Sequence, residues 1–120
     1  MGHDQLKNQE ELNSIRIGET LTVARKARKL TQTELARRAG LQPSYISQIE
    51  SNDRVPTLQT LESICQVLDI PSGVILLKAK IQENISEEDQ EMFSTLIKAL
   101  DALYFKPQQK AKPALESAEY

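Results

Sequence analysis

Residues 31–50, with the sequence TQTELARRAGLQPSYISQIE, place hydroxyl and amide side chains on two short helical patterns that flank a single glycine. Such side chains can both donate and accept hydrogen bonds, so they suit hydrogen-bonded recognition. Seven basic residues lie between Arg16 and Arg38, accompanied by the acidic residues Glu19 and Glu34. This concentration of positive charge indicates a surface that binds a polyanion. A solvated helix face is the alternative explanation for the same charges.

Catalysis and metal binding find little support in the composition. The chain has one histidine, His3, and one cysteine, Cys65, and it shows no phosphate-binding glycine loop and no nucleophile with a matching base. We therefore predict no enzyme activity, no metal site and no cofactor. One cysteine cannot form an internal disulfide, which suits a reducing compartment. Because no run of about 18 apolar residues and no apolar signal segment is present, we expect a cytoplasmic protein without a membrane segment.

Apolar spacing predicts five short helices between residues 15 and 80. The first runs from about Ile15 to Lys29. Thr31 and Glu34 form a capping box for the second helix, which Gly40 ends in a left-handed conformation. The first helix has apolar residues at helical spacing, namely Ile17, Leu21, Ala24 and Ala27. The second and third helices bury Leu35, Ala36, Ala39, Ile46 and Ile49. Together the five helices can enclose a small all-α core.

The remaining helices follow from the same reasoning. Pro43 fits the first turn of the third helix, and Thr57 caps the fourth. The buried stripe of the fourth helix is Leu58, Leu61, Ile64, Cys65 and Leu68. The segment VILLKAKI forms the fifth helix.

The chain changes character after residue 80. Residues 15–80 carry ten lysines and arginines against six acidic residues, whereas residues 81–120 carry four against eight. Ser86 and Asp89 cap a further helix within residues 81–106. Its apolar stripe, the predicted dimerisation surface, is Phe93, Leu96, Ile97, Leu100, Leu103 and Tyr104. This helix either packs on its own domain or pairs with a second copy, and we favour pairing. We expect residues 1–14 to be flexible and residues 107–120 to be a disordered tail.

Residues 17–77 resemble the lambda-repressor-like helix-turn-helix family, the phage and bacterial repressors related to Cro. The resemblance lies in a compound pattern, LTQ, LA, AGL, YIS, IE, PTL and LESI, within ARKARKLTQTELARRAGLQPSYISQIESNDRVPTLQTLESICQVLDI. It implies a five-helix DNA-binding domain, to which this chain adds a C-terminal helix. It also implies that the third helix, about residues 43–51, enters the major groove of double-stranded DNA.

The resemblance also assigns roles to individual residues. The expected base contacts are Gln42, Pro43, Ser44, Ser47 and Gln48. A glutamine such as Gln48 can bond both N6 and N7 of adenine. Pro43 departs from the long polar residue of many relatives and offers an apolar surface to a thymine methyl group. The expected phosphate contacts are Thr31, Gln32, Tyr45, Ser51, Asn52 and Arg54, and Gln32 matches the family's phosphate-clamping glutamine. Arg25 and Glu50 match a partly buried structural salt bridge.

The predicted function is a sequence-specific transcription regulator, more specifically a repressor that binds an inverted-repeat operator as a homodimer. A restriction-modification controller, a prophage repressor and a stand-alone developmental regulator remain open within this class. An antitoxin that binds a toxin protein and regulates its own gene is the main alternative. A protein-bridging adaptor that does not recognise bases is a third. Each of these functions is compatible with a regulatory protein partner.

Overall fold

Six α-helices and a π-helical turn make up the part of the chain that the computed structural model describes, residues 15–84 and 86–107. The helices are α1 (Gly18–Ala27), α2 (Gln32–Ala39), α3 (Pro43–Glu50), α4 (Leu58–Leu68), α5 (Ser72–Asn84) and α6 (Glu87–Leu100). The π-helical turn, Asp101–Phe105, continues α6. Every regular element in these ranges is helical, so the predicted all-α class is confirmed. The expectations for residues 1–14 and 108–120 fall outside the described residues.

Capping side chains explain where helices begin. The Thr31 Oγ1 atom accepts a hydrogen bond from the Glu34 N–H at 3.0 Å, and the Glu34 carboxylate accepts one from the Thr31 N–H at 2.9 Å. The predicted capping box of α2 is therefore present. Thr57 caps α4 by accepting from the Thr60 N–H at 3.1 Å. At the end of α2, Gly40 has a φ of 74°, the left-handed conformation that glycine adopts without steric cost.

Two helix boundaries differ from the prediction. α1 is shorter at both ends than the expected range of 15–29, and its C-terminal limit follows from the left-handed backbone of Lys29, whose φ is 60°. α5 extends to Asn84, so it crosses the predicted domain boundary between residues 80 and 81. Residues 74–84 contain neither proline nor glycine, and nothing in the local sequence stops the helix earlier. The predicted DNA-binding segment and the C-terminal helix are therefore closely connected.

Most of the core comes from the first five helices, and Phe105 of the π-helical turn adds to it. Its most completely buried large side chains are Leu21, Leu35, Ile46, Ile49, Ile64, Leu68 and Ile75. Cys65 is buried among them, as its position on α4 predicted. Leu58 is an exception, because 60% of its surface is exposed although the prediction placed it in the buried stripe. As the first residue of α4, it lies at the outer end of that stripe.

A close approach between α1 and α3 depends on Gly18. A methyl group at this position would lie 2.7 Å from the carbonyl oxygen of Ile49 and closer still to that of Glu50. The Gly18 N–H donates to Oδ1 of Asn52 at 3.0 Å. Asn52 itself has a φ of 65°, in the left-handed region that asparagine tolerates better than most residues. The start of α1 is thus held directly against the end of α3.

The C-terminal segment packs on the rest of the chain. Leu100 and Phe105 are buried, with 9% and 6% of their surfaces exposed. The Nζ atom of Lys78, on α5, lies 2.9 Å from Oδ1 of Asp101 and 4.2 Å from the centre of the Phe105 ring. The buried ammonium group therefore has both an anionic partner and an aromatic face. Of the two outcomes that the sequence left open, packing against the same chain is present.

Arg28 makes a second connection to this segment. Its Nε atom donates to the carbonyl oxygen of Leu68 at 2.7 Å, and its Nη1 atom donates to that of Tyr104 at 2.9 Å. Burial lowers the pKa of the Arg28 guanidinium, an effect that the nearby carboxylate of Asp69 opposes. Arg28 thus links the end of α1 to α4 and to the π-helical turn.

The apolar residues of α6 and the turn divide between two faces. Phe93, Ile97, Leu100 and Tyr104, spaced three or four residues apart, are half-buried or buried. Met92, Leu96 and Leu103 are exposed at 70%, 38% and 70%. The predicted dimerisation stripe combined residues from both faces. Since Leu100 is already buried in its own chain, it offers little surface to a partner, and Tyr104 also packs against the core.

Within the described ranges, no single helix is long and apolar enough to cross a membrane. The segments Leu58–Leu68 and Ser72–Glu83 together reach the necessary length and composition, but they are bent by 104° relative to each other.

Candidate nucleic-acid interface

The candidate interface is formed by α2, α3 and the loop after α3. Ile46 and Ile49 are buried on one side of α3, so the opposite side of the helix faces outward. The five residues predicted to contact bases are all exposed, namely Gln42, Pro43, Ser44, Ser47 and Gln48. Only the three residues 40–42 separate α2 from α3, which keeps the exposed face of α3 next to α2. This geometry leaves a row of hydroxyl and amide groups available for hydrogen bonds to base edges.

α3 begins without a side-chain cap. Gln42 occupies the cap position but makes no capping hydrogen bond, and Pro43 follows at the first helical position. The missing N–H of proline removes a donor that would have no partner there. The Gln42 side chain is therefore not committed to the helix start. An open hollow of about 420 Å³ adjoins it, lined by Gly40, Leu41, Gln42, Ser44, Tyr45, Gln48 and Arg54.

The predicted ion pair between Arg25 and Glu50 is present and bidentate. Arg25 Nε lies 2.7 Å from Glu50 Oε2, and Nη2 donates to Oε1 at 3.0 Å. The third nitrogen, Nη1, donates to the carbonyl oxygen of Leu30 at 2.8 Å. With only 10% and 6% of the two side chains exposed, the pair is well shielded from water. It joins α1 to the end of α3 and so fixes the helix that carries the base-contact candidates.

Gln32 belongs to the same cluster. Its Nε2 atom donates to Oε1 of Glu50 at 2.9 Å, which turns the amide nitrogen toward the protein. Burial alone would raise the pKa of Glu50, but hydrogen bonds from Arg25 and Gln32 outweigh that effect and lower the pKa below its ordinary value. Glu50 therefore stays ionised at neutral pH. The predicted phosphate contact of Gln32 remains a prediction, but this side chain also has a structural role that the sequence did not reveal.

Thr31 has a structural role as well. Its hydroxyl oxygen accepts the capping bond from the Glu34 N–H. A hydroxyl group can accept one hydrogen bond and donate another, so capping leaves its proton available for a phosphate oxygen. The hydrogen bond from the Thr31 N–H lowers the pKa of Glu34, which keeps a negative charge near the same helix start. That charge would oppose a phosphate placed close to it.

Two of the predicted phosphate contacts after α3, Ser51 and Asn52, make hydrogen bonds within the protein. The Ser51 hydroxyl lies 2.9 Å from Oδ2 of Asp53 and 3.1 Å from the carbonyl oxygen of Gln48. Asn52 uses its side-chain oxygen to accept from the N–H of Gly18. These bonds shape the loop, so the structure gives Ser51 and Asn52 a role that the prediction did not include.

Arg54 lies against α3 at the edge of the exposed face. Its Nη1 atom donates to Oε1 of Gln48 at 3.2 Å. The guanidinium carbon is 5.1 Å from the centre of the half-buried Tyr45 ring, within the range of a cation–π contact. A predicted base contact and two predicted phosphate contacts are thereby brought together.

The lysines and arginines between Arg16 and Arg54 serve two purposes. Arg25 and Arg28 make the internal contacts described above and are part of the fold. Other basic side chains remain exposed and can attract a polyanion, namely Arg16, Lys26, Lys29, Arg37, Arg38 and Arg54. The sequence did not reveal the role of Arg28, because its partners are carbonyl groups 40 and 76 residues away along the chain.

Comparison with known proteins identifies the family to which the chain belongs. A family model described as helix-turn-helix matches residues 23–75. The immunity repressor protein of Bacillus phage phi105 is 31% identical in an alignment over 112 residues, and the match covers 84% of this chain and 78% of that protein. The chain belongs to the lambda-repressor-like helix-turn-helix regulators. It is a DNA-binding transcription regulator and not an enzyme, as the sequence predicted.

Two further relatives match the helix-turn-helix part of this regulator. The HTH-type transcriptional regulator SinR of Bacillus subtilis (strain 168) is 34% identical over 76 residues, covering 62% of this chain and 68% of SinR. The HTH-type transcriptional repressor RghR of the same strain is 37% identical over 71 residues, covering 58% of this chain and 53% of RghR. These matches cover less of the chain than the match to the phage repressor.

Proposed function

We propose that this helix-turn-helix regulator represses transcription as a homodimer that binds an inverted-repeat operator, with α3 in the major groove. The exposed row Gln42–Ser44 and Ser47–Gln48, held on a helix whose other side is buried, is the observation that carries the proposal. Two of the relatives are named repressors, which supports repression over activation. Contacts to phosphates from the start of α2 would fix the position of α3 without contributing base preference.

Two copies are needed because one small module makes few base contacts. In a two-fold dimer, the recognition helices lie roughly 34–36 Å apart, one turn of the DNA helix. The exposed side chains Met92, Leu96 and Leu103 provide an apolar face for the second copy. They recur at spacings of four and seven residues, the pattern of helices that pair side by side.

The charges along α6 favour a second copy in antiparallel orientation. The helix starts with Glu87, Glu88 and Asp89 and carries Lys98 in its last turn. A two-fold interface places the same surface of both copies in contact, so an antiparallel pair sets each acidic start against the basic end of its partner. The proposed dimer contact is therefore Met92, Leu96 and Leu103, of which Met92 was not predicted from the sequence.

Substitution at the outward face of α6 tests the dimer without disturbing the monomer. Deleting residues 86–120 would also remove the buried Leu100 and Phe105, so it would confuse loss of dimerisation with loss of folding. In the double substitution Leu96→Glu and Leu103→Glu, the helix keeps its inner face. We expect a folded monomer by light scattering and circular dichroism, with much weaker binding to an inverted repeat.

The matched control is Leu58→Glu, which changes a leucine of similar exposure on α4. It should remain a dimer. A Leu96→Glu, Leu103→Glu protein that stays dimeric would refute the proposed interface.

The proposed division between base and phosphate contacts has its own test. Gln48→Ala should relax base preference, whereas Gln32→Ala should weaken binding to all duplexes more evenly. Because Gln32 also bonds Glu50, its variant must be compared at a temperature where circular dichroism shows it fully folded. Equal effects of both substitutions on every duplex would contradict the assignment of Gln48.

A further inference from the structure

The loop that follows α3 folds back onto the helix. The carbonyl oxygen of Gln48 accepts hydrogen bonds from the N–H groups of Asp53 and Arg54, at 2.9 and 3.2 Å. This reversal requires the left-handed conformation of Asn52, whose φ is 65°. Its side chain is in turn fixed by the bond from Gly18. The backbone therefore returns Arg54 to the side of Gln48, six residues earlier in the chain.

The side chains of Arg54 and Gln48 meet in one defined orientation. Arginine can only donate hydrogen bonds, so the group that faces Nη1 of Arg54 at 3.2 Å must be the amide oxygen of Gln48. The other end of the Gln48 amide, the NH₂ group, consequently points away from Arg54. Tyr45, 5.1 Å from the guanidinium carbon, provides the surface against which Arg54 rests. The head group of Gln48 is thus oriented by Arg54, which Tyr45 supports in turn.

We propose that Arg54 is a positioning residue that sets the base preference of Gln48. The inference rests on the proposed function, since it assumes that α3 contacts bases. A glutamine that is free to rotate presents its oxygen and its nitrogen together, which suits N6 and N7 of adenine. Arg54 bonds one of the two lone pairs of the Gln48 oxygen and holds that oxygen on its own side, so we infer that Gln48 turns its NH₂ group toward the groove. An NH₂ donor matches acceptor edges, such as O6 and N7 of guanine or O4 of thymine.

This role differs from the phosphate contact predicted for Arg54. A residue that only neutralises a phosphate changes affinity for all duplexes alike and lowers the dependence on salt. A residue that orients Gln48 changes the ranking of bases at one position in each half-site. It does so only while Gln48 is present. These two consequences can be measured separately.

The experiment uses the full-length protein and four duplexes that differ only at the base pair where Gln48→Ala loses its preference. Dissociation constants are measured at fixed salt for the wild type, Arg54→Ala, Gln48→Ala and the double variant. Arg37→Ala is the matched control, because it removes an exposed positive charge from α2 and leaves the Gln48–Arg54 pair intact. Circular dichroism confirms that each protein is folded.

We expect the wild type to prefer guanine or thymine at this position, because their major-groove edges offer hydrogen-bond acceptors to the NH₂ group of Gln48. Arg54→Ala should shift the preference toward adenine by about tenfold relative to the wild type. Arg37→Ala should keep the wild-type ranking, and in the Gln48→Ala background the loss of Arg54 should leave the ranking of the four duplexes unchanged.

Three results would overturn the inference. One is an Arg54→Ala protein that loses affinity equally for all four duplexes, which would make Arg54 a phosphate contact. Another is a change of ranking on removal of Arg54 in the Gln48→Ala background, which would make Arg54 a direct base contact. The third is a wild type that enriches no sequence when the binding site is first sought in a random duplex library, which would overturn the proposed function and this inference together.

Discussion

Removal of the Arg25 side chain should be among the most damaging single changes in this domain. Arg25→Ala would delete both bonds to the Glu50 carboxylate and the bond to the carbonyl group of Leu30. Glu50, whose side chain is only 6% exposed, would keep the amide of Gln32 as a partner. A shielded carboxylate would then lack its counter-charge.

The expected loss is large compared with the stability of a small domain. Removing one partner of a buried ion pair costs about 3–5 kcal/mol, because the other charge remains desolvated. Domains of this size have a total free energy of unfolding of roughly 5–15 kcal/mol. Since each kcal/mol corresponds to a shift of about 4–8 °C, the melting temperature of Arg25→Ala should fall by more than about 10 °C.

The pH dependence of stability shows whether the unpaired charge of Glu50 causes the loss in Arg25→Ala. In the wild type, burial raises the pKa of Glu50 but the bonds from Arg25 and Gln32 lower it further, so the folded-state pKa lies below the usual value. Glu50 thus stabilises the fold above the unfolded-state pKa of about 4.3, and this contribution is lost as the pH falls through the folded-state pKa. In Arg25→Ala the effect of burial remains while the arginine is gone. Protonation of Glu50 then removes the unpaired buried charge and so recovers part of the lost free energy of unfolding. The variant should therefore approach wild-type stability as the pH falls toward about 4.

Urea unfolding followed by far-UV circular dichroism measures these differences at neutral and acidic pH. Arg37→Ala, which removes an exposed arginine, should lie within about 0.5 kcal/mol of the wild type. An Arg25→Ala variant that also stays within this limit would show that the Arg25–Glu50 pair contributes little to stability. A stability difference that does not shrink on acidification would show that the loss has another cause.

Three other predictions concern stability and reactivity. Gly18→Ala should destabilise the fold by about 1–3 kcal/mol in urea unfolding, because its methyl group would overlap the carbonyl groups at the end of α3; an unchanged midpoint would contradict this close approach. Thr31→Ala should cost about 1 kcal/mol in the same assay through loss of the cap of α2, and wild-type stability would contradict that role. Burial, with a smaller contribution from Glu62, raises the pKa of the Cys65 thiol to about 12. Iodoacetamide at about pH 8 should therefore alkylate Cys65 only when the protein unfolds, whereas rapid alkylation of the folded protein would contradict its burial.

The sequence predicted those features that depend on neighbouring residues. The capping box at Thr31, the end of α2 at Gly40 and the cap at Thr57 each involve groups within a few positions of one another. Their chemistry is therefore visible in a short stretch of sequence. The position of the Arg25–Glu50 pair came from the family resemblance, since nothing in the spacing of these two residues indicates a contact.

Long-range contacts account for what the sequence did not predict. Arg28 bonds carbonyl groups of α4 and of the π-helical turn, and Lys78 meets Asp101 and Phe105. No local pattern distinguishes these cations from the exposed ones. Their roles follow only once α6 is placed against the core.

The two faces of α6 illustrate the same limit. The prediction recognised the apolar stripe but could not separate residues that face the domain from residues that face outward. The spacing could have indicated Met92, because it precedes Leu96, a residue of the predicted stripe, by four residues. Assigning Leu100 to the core required the position of the neighbouring helices.

Selection of bound duplexes from a random library, at about physiological salt, shows whether α3 recognises bases in a two-fold complex. The full-length protein should enrich an inverted repeat whose half-sites lie about one helical turn apart, centre to centre. That result would show both base recognition and the two-fold arrangement of α3. Recovery of duplexes without a common sequence, with binding that only decreases as salt is raised, would contradict the account of α3 as a base-recognition helix.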